Sequence, residues 1–493
     1  MGSTGSPNGA GGVETYDIVI VGAGISGINT AYRLQSQFPD ATFTILEGRD
    51  NIGGTWDFFR YPGIRSDSDL FTFGFQWEPW PYATPIAEGP LILEYLKNCV
   101  GKYNLDRYMR FRHRVLAADW SKDAEQWRIT AEHEGQTKEF RAKWIVLGTG
   151  YYDYDNPLKA EIPGLGDFKG EIIHPQHWPE KFDHSGKRII VIGSGATTIT
   201  LLPALSKTAK EVTMVQRSPS YIVDIMNGSP ESSWFMKYIP LIISGTLLRI
   251  GYLWKGYLVV LFARYCPQMA RAILIKLMAS QLPERISPSP HFEPSYTPWQ
   301  QRLCLAPDGD FFRALRERPN TDVVTGIIDT VTETGLRMKD GTTLEADVIV
   351  TATGLQMRIG GDVALTIDGE KVGWAGRMLW HGSMAEDVPN MMLMVGYVNA
   401  SWTLGADATA LILVRLLKHM KAKGLSAAVP RVPPEGTNGQ RKFWQLSSSY
   451  SKHAESILPV YGNAGPWQPK TSPPLDWFHG KFGDIVTGLE FSS

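Results

Sequence analysis

At 493 residues the chain is too long for one ordinary domain, and roughly two to four is the expectation. Hydrophobic residues make up 43% of it and charged residues 20%, which supplies a sizeable core and excludes wholesale disorder. Forty-nine basic against 50 acidic residues leave a net charge of −1, so nothing in the balance draws the chain to nucleic acid or another polyanion.

Met1 to Gly12 is rich in Gly and Ser without apolar periodicity and reads as a disordered tail. Tyr16–Val21 is an apolar run of strand type, Ile25–Gln37 has helical spacing, and Thr42–Leu46 is a second strand ending at Glu47. The same βαβ pattern returns at Arg188–Ile192, Thr197–Leu205 and Val212–Val215. Two more buried strands, Trp144–Leu147 and Asp347–Val350, end in glycine turns and read as the returns that close two parallel sheets. Between them, Tyr221 to Arg318 is rich in Leu, Ile, Trp and Tyr, then broken by prolines, and reads as a helical insertion followed by an irregular loop. Ala406–Lys423 is a further helix, before a Pro/Trp-rich tail from Pro430. The expected fold class is α/β, with two nested Rossmann-like dinucleotide-binding domains. The first takes residues 13–155 and 375–493, the second 156–220 and 325–374, and the insertion 221–324. Cys99, Cys266 and Cys304 lie too far apart for a disulfide framework, a clustered zinc site or a CxxC pair. No metal is expected, and a reducing compartment fits. The chain opens without a charged-then-apolar leader, which leads us to expect a cytoplasmic location.

Gly22-x-Gly24-x-x-Gly27 falls between a strand and a helix, with Glu47 twenty residues beyond Gly27. The first glycine permits the turn, the second admits a pyrophosphate to the backbone, and the third packs helix on strand. Helix N-terminal charge then favours phosphate, and Glu47 can accept hydrogen bonds from ribose hydroxyls. Gly193-x-Gly195-x-x-Thr198 is a second copy with Thr in the third place, and its second strand ends at Gln216-Arg217 instead of at an acid. A guanidinium grips a 2′-phosphate that a carboxylate would repel, which favours NADP over NAD; the plainer reading of Arg217 is a solvated surface arginine. One acidic and one arginine-bearing site suggest a flavoprotein taking hydride from NADPH. Disulfide reductases share that plan but need neighbouring cysteines, which this chain lacks.

The linker Phe168-x-Gly170-x-x-x-His174-x-x-x-Trp178-Pro179 resembles the fingerprint of the type I Baeyer–Villiger monooxygenases at every fixed position. Related N- and S-oxygenating flavin monooxygenases usually carry Phe or Tyr in place of Trp178. Gly53-Gly54-x-Trp56, Tyr61-Pro62-Gly63 and Asp67 match a second signature of the family. Finer resemblance to the subgroup that activates thioamide prodrugs runs through Gly54-Thr55-Trp56-Asp57, Arg60 to Asp69, Ile173 to Pro179, Gln301 to Cys304 and Asn399 to Thr403. Taken singly these residues have plainer readings: Trp56 and Trp178 as core aromatics, His174 as a turn cap, Asp67 as a loop carboxylate.

The resemblance implies a class B flavin monooxygenase with FAD in the first domain and NADPH in the second. Carried over, the FAD residues are Gly22, Gly24, Ser26, Gly27, Glu47, Gly54, Thr55, Trp56, Asp57, Asp67 and Val115. The NADP residues are Arg65, Ser66, Gly193, Ser194, Gly195, Ala196, Thr197, Thr198, Gln216 and Arg217. The family's reaction adds dioxygen at flavin C4a, and the resulting peroxide stays anionic to attack a ketone carbonyl and give an ester or lactone. A buried anion needs a fixed cation facing it. The family's catalytic arginine matches Arg302, oriented by Asp67, while His174 sets linker geometry. Many members carry lysine before that arginine; Gln301 here weakens the NADPH preference without reversing it.

From Ser232 to Pro283 the insertion has no acidic residue but carries Lys237, Arg249, Lys255, Arg264, Arg271 and Lys276. Its apolar runs, Ile239–Leu248 and Gly256–Ala263, each fall short of the roughly 18 to 20 residues of a membrane span. Core packing is the favoured reading, with peripheral contact to anionic lipid as the alternative. The expected partners are dioxygen and a lipophilic ketone or sulfide. A heteroatom oxygenase and an uncoupled, sensory flavoprotein stand as the competing functions.

Overall fold

The computed structural model describes residues 12–228, 230–301, 303–444, 454–470 and 472–493, with residues 230–233 by their backbone alone. Apart from Gly12, the expected tail lies outside the described residues.

Strand β1 (Glu14–Val21) carries Ile18, Val19 and Ile20 with no exposed surface, the branched apolar run that a central parallel strand requires. It leads through Gly22 to helix α1 (Ile25–Gln37) and back as β2 (Phe43–Leu46), parallel to β1 with Ile18 opposite Phe43. An antiparallel meander follows, β3 (Arg114–Ser121), β4 (Gln126–His133) and β5 (Gln136–Leu147), whose last strand then pairs parallel with β1. The expected strand Trp144–Leu147 is thus the buried end of a 12-residue strand whose first half alternates in exposure and is legible only as an edge.

The second sheet is wholly parallel. Its pieces are β6 (Glu171–Ile173), β7 (Arg188–Ile192), helix α2 (Ala196–Leu205) and β8 (Glu211–Gln216). Then the insertion runs through helices α3 (Pro230–Tyr238), α4 (Leu241–Tyr265) and α5 (Pro267–Ala279). An irregular stretch precedes α6 (Asp310–Glu317), and β9 (Thr321–Thr325) and β10 (Val348–Thr351) complete the order β9-β8-β7-β10-β6.

Two expected boundaries move. Strand β9 pairs with β8, so the second sheet recruits residues from Thr321, inside the span 221–324 assigned to the insertion. Strands β11 (Ala364–Ile367) and β12 (Glu370–Val372) extend the first sheet beyond β3, so the chain is back in the first domain well before residue 375. A four-residue strand whose partner is some 250 residues away leaves no local signal. Strand β13 (Met391–Leu393) pairs with β5, and helices α7 (Trp402–Lys423) and α8 (Pro473–Phe482) pack together.

A buried ion pair fixes α7 against α1. Arg33 donates from Nε to Asp407 Oδ1 at 2.8 Å and from Nη2 to Oδ2 at 2.9 Å, while Asn29 adds a bond of 3.1 Å. Helix α4 overturns another expectation. Its two apolar runs join without a proline between them into one helix of 25 residues, long and apolar enough to cross a bilayer. It lies along the body of the protein instead. Arg249 donates to the carbonyls of Phe71, Thr72 and Gly74 at 3.2, 3.1 and 2.6 Å, and a Cβ on Gly245 would fall 2.5 Å from Pro79.

Candidate active site between the two dinucleotide folds

The loops that follow β1, β5, β7 and β10 open into one cavity of about 1880 Å³. At its first end Gly22 takes φ +100°, and the α1 cap Gly24 offers no side chain to the helix N-terminus. The first N–H groups of α1 are therefore left for a ligand phosphate. Gly54, at φ +53°, brings the 53–57 loop so close that its Cβ would stand 3.3 Å from the Gly24 Cα. Glu47 accepts from the Ala23 N–H at 2.7 Å and the Arg49 N–H at 3.0 Å, and it lines the cavity; burial raises its carboxyl above the usual range. Ser26, Thr55, Trp56 and Val115 line the same end.

Gly27 and Asp57 do not reach the cavity. A Cβ on Gly27 would lie 1.9 Å from the Gly22 carbonyl oxygen, so its role is the close packing expected of the third glycine. Asp57 instead accepts from Arg49 at 2.6 Å and Arg60 at 3.3 Å, tying down the loop that presents Thr55 and Trp56.

The second cradle repeats the geometry. Gly193 takes φ +140°, where a Cβ would meet the Ala352 carbonyl oxygen at 2.2 Å, and Gly195 caps α2 with nothing within 4 Å of an added Cβ. Ser194, Gly195, Ala196, Thr197 and the exposed Arg217 line the cavity. Thr198 is buried behind them, and Gln216 turns away, donating to the His291 carbonyl at 2.8 Å and Thr325 Oγ1 at 2.9 Å. Both cradles thus offer uncapped helix ends and room at a glycine, which fits a bound dinucleotide in each.

The 60–69 loop joins the two domains. Gly63, at φ +75°, is backed so closely by α2 that a Cβ would stand 3.1 Å from the Thr200 carbonyl oxygen. Arg65 lines the cavity yet is held by Asp310 at the start of α6, and Ser66 beside it is buried. Asp67 also lines the cavity, close enough to Tyr61 to add to the burial that pushes that phenol up to about 12. Arg302 lies outside the described residues; its chain neighbours Gln301 and Leu303 both line the cavity.

The fingerprint residues stay out of the cavity. Phe168 and Trp178 are buried in the second domain, and a Cβ on Gly170 would fall 2.5 Å from the Asp347 carbonyl oxygen. His174 accepts from the Gln176 N–H at 3.2 Å, capping the Pro175–His177 turn, and burial lowers its pKa. Pro179 follows in the same linker and, like them, is absent from the wall. None of them adds to the cavity wall.

Several cavity residues escaped the sequence reading. Arg49 donates to the Gly54 carbonyl at 3.2 Å and lies over Phe58, which stacks on Tyr154 at 4.3 Å. Burial pushes the Tyr154 phenol up to about 12. Trp402 donates to Ser26 Oγ at 2.9 Å and stacks on Tyr151. Lys339 reaches the Arg217 end, because Gly326 N–H bonds the Gln216 carbonyl and Lys339 N–H the Ile327 carbonyl. Apart from Trp402, which falls in the Asn399–Thr403 segment of the resemblance, no local pattern marks these residues, since they arrive from different parts of the chain. Tyr252, Tyr257, Val260, Ile273, Leu274 and Trp299 give the remaining wall its apolar character.

Residues 79–249 match the family described as flavin-binding monooxygenase-like, and residues 20–86 match an NAD(P)-binding Rossmann-like domain. The chain is similar to the FAD-containing monooxygenase EthA of Mycolicibacterium smegmatis, 44% identical over 462 residues that cover 93% of each chain. It is 42% identical to the probable FAD-binding monooxygenase AlmA of Acinetobacter baylyi, over 92% of this chain and 91% of that one. A steroid monooxygenase bound to NADP shares the fold with a TM-score of 0.75 at 20% identity, covering 97% of this chain and 99% of that one. A cyclohexanone monooxygenase from Rhodococcus sp. Phi1 bound to NADP+ does so at 0.74 and 21%, covering 98% and 100%.

Proposed function

The chain belongs to the FAD-containing monooxygenases, and from that premise we propose that it consumes NADPH and dioxygen to insert one oxygen atom beside the carbonyl of a lipophilic ketone. The observation that carries this reading is a single cavity shared by both cradles, walled by apolar helices, with Gln301 and Leu303 on either side of Arg302. FAD held there would supply the redox chemistry that activates dioxygen, with NADPH as the reductant. The protein's residues do the rest. Uncapped α1 and α2 hold the two pyrophosphates, and Glu47 accepts from the ribose. Arg217 and Lys339 favour the 2′-phosphate, the second cation offsetting the lysine that Gln301 replaces. Arg302, permanently charged and oriented by Asp67, stabilises negative charge that develops on the ketone oxygen. Tyr252, Tyr257 and Trp299 keep water from the reacting atoms. Resemblance to the thioamide-activating subgroup adds sulfur as a second oxygen acceptor at the same place.

Arg302→Ala tests the assignment. The variant should still bind FAD and accept hydride, while ester formation falls about a hundredfold or more. Ester formation near the wild-type rate would overturn the role of Arg302, and a panel of ketones that yields none would overturn the substrate class.

A further inference from the structure

Helices α3 to α5 turn an unusual surface outward. Of α4 only Ser244, Gly245 and Ala263 are buried among 25 residues. Ile243 is 51% exposed, Leu247 49%, Trp254 49% and Leu258 58%. The face continues onto α3 through Trp234 and Tyr238, onto α5 through Met269 and Leu277, and onto the adjoining α8 through Leu475, Phe478 and Phe482. Isolated apolar residues on a surface need no explanation, but a contiguous face spread over four helices does. Its charge is one-sided as well. Lys237, Lys255, Arg264, Lys276 and Lys481 are exposed around it, and no Asp or Glu occurs between residues 232 and 283.

We infer that this face lies in the interfacial layer of an anionic lipid bilayer and delivers lipophilic substrate to the cavity. The cations choose the occupant: an apolar face ringed by Lys and Arg suits anionic headgroups above acyl chains, whereas a second copy would set like charges against like. The helix lies in the plane of the membrane and does not cross it. Arg249 is half-buried and donates to the carbonyls of Phe71, Thr72 and Gly74, and Gly245 is backed by Pro79, so α4 cannot leave the protein body without stranding a guanidinium. Tyr252, Tyr257 and Val260 of the same helix line the cavity, as do Ile273 and Leu274 of α5. Lys255, Val259 and Phe262 both line it and stand exposed, so they mark the rim where the cavity meets the apolar face. The delivery part of the inference rests on the lipophilic-substrate reading; the docking part does not.

Flotation of the full-length, FAD-loaded protein with vesicles separates the two parts, because it is read without turnover. The protein should float with equimolar phosphatidylcholine and phosphatidylglycerol, stay behind with phosphatidylcholine alone, and detach as salt is raised. Trp254→Ser with Leu258→Ser should weaken binding by at least about tenfold, and Lys237→Gln with Arg264→Gln and Lys276→Gln by about a hundredfold. None of these five residues lines the cavity, so NADPH oxidation on a water-soluble ketone should stay at the wild-type rate. Failure of the wild type to float with anionic vesicles overturns docking, as does equal flotation with neutral ones. A dimer that the same substitutions disrupt, with no vesicle binding, would give the face to a second copy and overturn it equally. If the docked enzyme turns over a long-chain ketone no faster from anionic vesicles than from detergent, delivery falls while docking stands.

Discussion

Gly27 and Gly195 sit in matching motifs but answer to different demands. A methyl on Gly27 collides with the Gly22 carbonyl oxygen at 1.9 Å, whereas one on Gly195 meets nothing within 4 Å. Gly27→Ala should therefore cost several kcal/mol, on the order of 3, and strip FAD from the purified protein. Gly195→Ala should leave the folding stability within about 0.5 kcal/mol of wild type while raising KM for NADPH, since the new methyl points where a pyrophosphate must come. Steady-state kinetics and thermal melts read both. Arg217→Ala should raise KM for NADPH about tenfold or more, as the loss of a charge-assisted hydrogen bond implies, and leave KM for NADH unchanged. At this scale the placement of the motif glycines, Glu47 and Arg217 was legible because it is local to a strand–turn–helix. Asp57 and Gln216 were not: they were carried over as cofactor ligands, but ion pairs with Arg49 and Arg60 and bonds to His291 and Thr325 hold them elsewhere. Lys339, brought to the Arg217 end by a remote hairpin, had no signal to read.

Secondary structure was read best where apolar runs are buried on both faces. Strands β1, β7 and β8 and helices α1 and α7 fall within a few residues of their expected bounds. The meander β3–β4 and the edge strands β11 and β12 escaped, because alternating, half-exposed strands take their identity from partners far along the chain. Helix α4 shows the opposite failure: two short apolar segments were read separately though nothing between them breaks a helix. Its Arg249 is the element's anchor. The α1–α7 contact has its own anchor in Asp407, which takes two bonds from Arg33 and one from Asn29. Asp407→Asn should destabilise the protein by about 3–5 kcal/mol, the cost of leaving a buried guanidinium without its carboxylate, as chemical denaturation would measure. It should also loosen Trp402, which α7 presents to Ser26.

The nested plan of the whole molecule follows from two interrupted sheets, and its class was anticipated by the paired glycine motifs. The joints between domains were not, because they depend on contacts such as Arg65 with Asp310 and Gly63 against Thr200. The C-terminal segments also tie global stability to pH. Burial, assisted by His479, pulls His381 down from 6.5 to about 4. A folded pKa below the unfolded one means the neutral ring is favoured in the native state. That contribution is fully present above pH 6.5 and is lost as pH falls through 4. The melting temperature of wild type should therefore drop more steeply than that of His381→Gln between those values, and parallel profiles would contradict the shift.

The reaction itself is tested most directly by turning over a lipophilic cyclic ketone under ¹⁸O₂ and counting lactone formed, and label carried, against NADPH oxidised. The account predicts close to one lactone per NADPH, each bearing one ¹⁸O in the ring. NADPH consumed with hydrogen peroxide as the only reduced oxygen product, across the ketone panel, would contradict it.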